Sequence, residues 1–210
     1  MKNNCPLCKN NSTVFYQFKK RLYYQCSFCK GVFVDPSLIL SPDEEKLRYE
    51  EHNNDVNDKR FQKFASSITD LVQKEFTENH SGLDFGSGFA PVITKVLTDK
   101  NYNIKPYDPF FFNNPELLNK QYDYITSCEV IEHFHDPVKE FNLLKNLLNP
   151  GGKLYIKTWL ISDQIDFHNW NYKDDHTHVF IFHKKSIEWI KENIGFSAVQ
   201  INERMIVFTK

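Results

Sequence analysis

Four of the five cysteines in this 210-residue chain stand as two C-x2-C pairs, Cys5/Cys8 in "CPLC" and Cys26/Cys29 in "CSFC", with 17 residues between the pairs. Each such turn presents two thiolates to one ion, and two turns complete the tetrahedral four-thiolate set that suits structural Zn2+. Between them "TVFYQFKKRLYYQC" alternates around a basic turn, which predicts two short strands. Residues 1–36 are therefore expected to form a zinc ribbon on Cys5, Cys8, Cys26 and Cys29, too small to fold without its metal. Met1-Lys2-Asn3-Asn4-Cys5 has no apolar segment behind its lysine and reads as no secretory leader, so a reducing, cytoplasmic setting is expected.

Glycine is scarce, 7 in 210, and four of the seven fall in two clusters, Gly86/Gly88 and Gly151/Gly152. In "LDFGSGFAP" strand residues run into Gly86-Ser87-Gly88, a tight turn that lets the backbone approach a ligand at the start of a helix. Asp108 lies 22 residues after Gly86, at the end of the next strand-like segment, where a carboxylate accepts from both hydroxyls of a ribose. A nucleoside-containing cofactor follows. Pro91 occupies the third glycine position of a dinucleotide turn, and Asp84 precedes the turn by two residues, so a cationic ligand suits the site better than a pyrophosphate. S-adenosylmethionine carries an ammonium and a sulfonium.

Glu129, Glu132 and His133 stand at i, i+3 and i+4 where a buried strand is expected to pass into a helix, so all three can face one side of its first turn. His133 suits a general base through its near-neutral pKa. The same three with a later histidine, among His168, His176 and His178, alternatively make a Mg or Mn site, and a third reading leaves them as packing and solvated residues. From Trp159 to Phe182, Phe167, Trp170 and Tyr172 interleave with Asp174, Asp175, His176 and His178, which suits a flat or sugar-like acceptor or a lid that excludes water. His52, His80, His135 and His183 receive no role.

These residues need elements to hold them. With 40% hydrophobic, 15% aromatic and 25% charged residues the chain reads as globular, and 26 basic against 27 acidic side chains give no bulk field for nucleic acid. Its longest apolar runs are a few residues, which excludes a membrane span. Residues 37–55, preceded by Pro36 and containing Pro42 and many charges, read as a linker with a short helix after Ser41 or Pro42. Phe61, Phe64, Ala65, Ile68, Leu71, Val72 and Phe76 recur at helical spacing and predict an amphipathic helix between Val56 and Phe76. Strand-like and helix-like segments then alternate to the end, where "FSAVQIN" and "ERMIVFTK" predict a hairpin. Such alternation predicts a mainly parallel, doubly wound α/β sheet with its ligand crevice beyond the carboxyl ends of the strands.

On "LDFGSGFAP", "YDP", "YDYITSCEVIEHFHDP" and "LLNPGGKLYIKT" the chain resembles the class I S-adenosylmethionine-dependent methyltransferases, over roughly Gly82 to Lys210. A four-cysteine ribbon ahead of that domain is similar to a subgroup acting on small molecules and sugars. The resemblance implies a Rossmann-like, seven-stranded, mostly parallel sheet over residues 56–210, with donor contacts at Asp84, Gly86, Ser87, Gly88, Asp108, Pro109, Ser127, Cys128 and Glu129. It implies acceptor chemistry at Glu129, Glu132, His133, His176 and His178. One departure stands out: 14 residues separate Asp108 from Asp123, too few for the family's usual third strand and helix, so that strand is expected to be missing or minimal, and Phe110 to Phe112 read first as core aromatics and alternatively as a cover for adenine. The expected function is methyl transfer from S-adenosylmethionine to a sugar-like or aromatic small molecule. The alternatives are an RNA methyltransferase docking through Lys9, Lys19, Lys20 and Arg21 of the ribbon, and a catalytically idle binding subunit.

Overall fold

The computed structural model describes residues 3–51 and 54–210; Met1, Lys2 and His52, which entered the sequence reading, lie outside the described residues. Strands β1 (Ser12–Phe18) and β2 (Arg21–Cys26) form the expected hairpin, and β3 (Val32–Val34) pairs with β2. The two C-x2-C turns meet at the end of this sheet. Helix α1 (Pro42–Glu50) starts at a capping box in which the Glu44 N–H donates to Ser41 Oγ and the Ser41 N–H to Glu44 Oε2. Helix α2 (Lys59–Glu75) begins after Asp58, whose carboxylate accepts the Arg60 N–H, and buries Ala65, Ile68 and Val72 as its periodicity predicts.

The alternating region supplies β4 (Ser81–Phe85), α3 (Val92–Thr98), β5 (Asn103–Tyr107), β6 (Tyr122–Cys128), α4 (Pro137–Leu147), β7 (Leu148–Lys157), β8 (Phe180–Ile181), α5 (Lys184–Ile190), β9 (Ala198–Asn202) and β10 (Met205–Thr209). Among the described residues the main sheet has six strands in the order β5-β4-β6-β7-β10-β9, with β4 to β7 parallel and the β9–β10 hairpin antiparallel on β7. The expectation of seven strands is corrected to six. Between Asp108 and Asp123 the chain makes only an Asp108–Phe112 bridge and one 3-10 turn at Pro115–Asn119, which leaves no length for a strand and its helix.

A second correction concerns the end of β6. No helix follows directly: Glu129 takes φ +53°, Ile131–His133 form one 3-10 turn, and α4 starts only at Pro137 after its N-cap Asp136. Proline lacks an N–H and drives the residue before it out of the helical region, so α4 cannot reach back to Glu129.

Strand β8 leaves the main sheet and extends the other one. It pairs with β3 through Val32–Ile181 and Phe33–Phe180, giving a four-stranded antiparallel order β1-β2-β3-β8. The cores merge accordingly: Cys5, Leu7, Cys26, Cys29 and Phe33 pack in one buried cluster with Leu83, Phe141, Phe180 and Phe182. A second cluster joins α2 and α3 to the opposite face of the sheet through Ile68, Val72, Ile93, Leu97, Tyr124 and Tyr155. No helix among the described residues is long and apolar enough to cross a membrane.

Candidate active site

A cavity of about 850 Å3 opens where β4, β5 and β6 end. At its floor the Gly86-Ser87-Gly88 turn is tied to β5 by the N–H groups of Gly86 and Ser87, which donate to the Tyr107 carbonyl at 2.8 and 3.1 Å. Both glycines are left-handed, at φ +74° and +61°. A Cβ on Gly86 would sit 2.5 Å from Val130, whereas one on Gly88 would meet nothing within 4 Å, so Gly88 faces open space. Asp108 is buried beside it: Oδ2 accepts the Gly88 N–H at 3.0 Å, and Oδ1 accepts the N–H groups of Phe110 and Phe111 at 2.9 and 3.1 Å. A carboxylate offers about four acceptor positions, so the main chain takes three and fixes the group while about one stays open.

Asp84 also lines the cavity but is 3% exposed, accepting from Thr126 Oγ1 at 2.9 Å and from Thr94 Oγ1 and N–H at 2.9 and 3.2 Å. Burial pushes its carboxyl up to about 6. Pro109 and Cys128 line the cavity, with the Cys128 thiol raised by burial. Ser127 does not line it; its buried hydroxyl has no partner among the described residues. Phe61 and Phe64 of α2 line the cavity as well, as do Phe110 and Phe111.

At the other end His133 and His178 stand together, ring centroids 4.8 Å apart. His133 Nδ1 lies 3.0 Å from the Thr177 carbonyl and His178 Nδ1 2.7 Å from the Tyr172 carbonyl. A carbonyl only accepts, so both rings carry their proton on Nδ1 and keep the Nε2 lone pair. Burial lowers His133, and burial together with His133 takes His178 down to about 3, so both are neutral at pH 7. Glu132 is wholly buried, accepting from Tyr172 Oη at 2.5 Å and Thr158 Oγ1 at 3.1 Å, and burial pushes it up to about 7. Glu129 lines the cavity paired with Arg204 at 2.6 Å, yet burial and Glu132 raise it to about 7. One ligand atom each of Glu132, His133 and His178 lies within 4.8 Å of the others.

Of the three later histidines, His178 is therefore the one brought to this end. His176 is exposed and off the cavity, and His168 is exposed with Nδ1 2.8 Å from the Tyr16 hydroxyl. The sequence reading missed several wall residues. Helix α1, taken as part of a linker, closes over the site through Glu45, bonded to His135 Nε2 at 2.9 Å, and through the Tyr49 ring, 5.5 Å from His133 and 5.8 Å from Phe110. The signal available for it was the Ser41-Pro42-Asp43-Glu44 start, which fixes a helix but not where it packs. Away from the cavity lining, the four cysteine sulfurs lie within 4.8 Å of one another, with Cys5 3.6 Å from Cys29 and Cys8 3.3 Å from Cys26.

A family model for a methyltransferase domain matches residues 56–201. No curated protein matches the chain. Among solved structures, a SAM-dependent methyltransferase from Archaeoglobus fulgidus superposes with a TM-score of 0.53 at 15% identity, over 73% of this chain and 100% of that one. The 1,6-didemethyltoxoflavin-N1-methyltransferase of Burkholderia thailandensis, bound to 1,6-didemethyltoxoflavin and S-adenosylhomocysteine, superposes with a TM-score of 0.53 at 13% identity, over 93% of this chain and 97% of that one. CalO1, a methyltransferase in calicheamicin biosynthesis in its SAH-bound form, gives 0.50 at 12% identity over 80% of this chain. The chain spans 57% of CalO1, and 56% of a further structural relative from Nostoc punctiforme. At these identities the likeness concerns the fold.

Proposed function

The chain belongs to the methyltransferase-domain family, and from that membership we propose that it moves the methyl group of S-adenosylmethionine onto a small-molecule acceptor. The observation that carries the proposal is a single cavity with an open glycine turn and fixed carboxylates at one end and two neutral imidazoles at the other. S-adenosylmethionine supplies an electrophilic methyl on a sulfonium, and the residues present suit it: Gly88 leaves room at the turn, and Asp84, Asp108 and Glu129 favour a cation. Gly86, Ser87 and Gly88 would hold the methionine part, with Asp84 beneath and Cys128 and Glu129 alongside. Asp108 and Pro109 would take the ribose and Phe110 with Phe111 the adenine, while Ser127 would support the turn from inside the strand.

His133 is assigned the acceptor's proton. Its Nδ1–H is fixed on the Thr177 carbonyl, so Nε2 receives the proton as the acceptor oxygen or nitrogen gives it up and gains the methyl. Asp175, Glu45 and Glu129 favour the imidazolium that results. His178 and Glu132 hold that wall, and His176 contributes its backbone rather than its ring.

The lining supports a small molecule over RNA, because Asp84, Asp108, Glu129, Asp136, Glu140 and Asp175 face one lysine, Lys139, and would repel a polyanion. An intact glycine turn and Asp108 speak against an idle subunit. The cysteine cluster suits structural zinc: its four sulfurs converge, three of its thiols are buried, and the Phe28 N–H donates to Cys26 Sγ at 3.4 Å. About one zinc per chain is expected by metal analysis.

A second reading is favoured by the convergence of Glu132, His133 and His178, since two neutral imidazoles and a carboxylate can hold a divalent cation. Calorimetry with S-adenosylhomocysteine and transfer of labelled methyl from S-adenosylmethionine into small-molecule and RNA fractions test the main proposal. Absent binding sinks it, label in RNA alone sinks the acceptor class, and activity lost to chelator and restored by Mg or Mn replaces the base with the cation.

A further inference from the structure

His178 sits in the β7–β8 loop, and much of what holds that loop comes from outside the methyltransferase domain. Residues 175–178 form a turn closed by the His178 N–H on the Asp175 carbonyl at 3.2 Å, with the Asp175 carboxylate accepting the Thr177 N–H at 3.0 Å and hydroxyl at 2.6 Å. Outside the turn, its carbonyls meet two partners. That of Thr177 meets His133 Nδ1. Those of Asp175, His176 and His178 all accept from one guanidinium nitrogen, Nη2 of Arg21, at 3.3, 3.3 and 3.0 Å. Arg21 Nε donates to Tyr23 Oη at 2.5 Å, and the buried Tyr23 hydroxyl donates to the Lys173 carbonyl at 2.7 Å. Immediately downstream the Val34 N–H donates to the Val179 carbonyl at 3.1 Å and the Val179 N–H to the Glu132 carbonyl at 2.9 Å. The loop is thus held on one side by the cysteine-cluster sheet and on the other by the turn that carries His133.

We infer that Arg21 is a positioning residue of the active site, which through three loop carbonyls keeps His178 on the cavity wall and the Thr177 carbonyl on His133. Three carbonyl oxygens turned to one point repel each other unless a cation lies among them, and a guanidinium supplies a permanent charge with its donors in a fixed fork. Lysine supplies the charge but cannot also hold the Tyr23 hydroxyl through a second nitrogen. Arg21 begins β2 and Cys26 ends it, so the strand that holds the loop is anchored at its other end in the cysteine cluster. The ribbon then acts as a brace for the acceptor wall. The functional consequence rests on the proposed methyl transfer, whereas the positioning has its own readout.

The test uses the full chain carrying Arg21→Ala, Arg21→Lys or Tyr23→Phe, with imidazole 1H–15N spectra and calorimetric titration of S-adenosylhomocysteine as probes. In the unaltered chain the His178 Nδ1–H, held on the Tyr172 carbonyl, is expected to exchange slowly. Arg21→Ala should speed that exchange at least tenfold, Arg21→Lys by less, and Tyr23→Phe severalfold, with S-adenosylhomocysteine affinity changed less than threefold in each. Once an acceptor is in hand, Arg21→Ala should lower kcat tenfold or more with the donor KM unchanged. An unaltered His178 signal in Arg21→Ala overturns the inference, and so does a parallel loss of donor affinity in the conservative Tyr23→Phe, which would mark a general loosening. Failure of the unaltered chain to bind S-adenosylhomocysteine overturns the methyl-transfer reading, while the imidazole spectra still decide the positioning.

Discussion

The two ends of the cavity are built in opposite ways. The end proposed to hold the donor takes Asp84, Gly86, Ser87 and Gly88 from one strand and the turn after it, and Asp108 from the end of the adjacent parallel strand, with bonds between sheet neighbours. The end proposed to take the acceptor assembles β2, α1, the turn after β6, the β7–β8 loop and, through Arg204, the β9–β10 turn, and its Arg21–Asp175 contact joins residues 154 apart. A local motif fixes its own geometry; a wall drawn from five places holds only while each is docked. Changes at the donor end should therefore act on donor affinity, and changes at the acceptor end on turnover.

The largest separation of the two is expected from His133→Ala. Removing a general base typically costs 10²-fold to 10⁴-fold in rate, about 3–5 kcal/mol, while S-adenosylhomocysteine affinity should stay nearly constant by calorimetry. A matching loss of donor affinity would merge the two ends into one cooperative unit.

Asp84 tests whether the donor end carries buried charge as a stability cost. It loses its proton near 3.8 when unfolded and near 6 when folded, so the folded chain holds a proton the unfolded chain has released. The stabilisation is full below about pH 4 and fades as the pH rises through 6, by about 2–3 kcal/mol at about 1.4 kcal/mol per pH unit. Asp84→Asn should flatten the slope of denaturant-derived stability across that window; an unchanged slope refutes the assignment.

Asp108→Ala should weaken S-adenosylhomocysteine binding by one to two decades, through loss of charge-assisted bonds worth roughly 1.5–3 kcal/mol. Because Asp108 also holds the N–H groups of Gly88, Phe110 and Phe111, part of that loss should appear as a lower Tm.

The smallest effect belongs to the α1 tether. Glu45 raises His135, so their pair stabilises below about pH 6.5 and its contribution is lost as the pH rises through the elevated folded value. With the His135 side chain 42% exposed, Glu45→Gln should remove only a few tenths of a kcal/mol at pH 6 and lower the His135 pKa by NMR. A larger loss would make α1 part of the wall's stability as well as its cover.

What the sequence determined by itself is local. The cysteine spacing, the hairpin around Lys19, the amphipathic α2, the glycine turn of Gly86 to Gly88, the acid at Asp108 and the missing third strand all follow from spacing, length or backbone conformation within a short stretch of chain. The Asp136-Pro137 step, which ends the turn and starts α4, was equally readable, yet the i, i+3, i+4 spacing of Glu129, Glu132 and His133 suggested one helical face where the backbone makes a 3-10 turn. Tertiary structure alone decided which of His168, His176 and His178 joins His133, that Glu132 is buried against Tyr172, and that Arg21 faces inward onto carbonyls. The reason is the same throughout: these contacts join segments far apart in the chain, as does the pairing of β8 with the cysteine-cluster sheet, and contacts across about 150 residues leave no periodic trace in either partner.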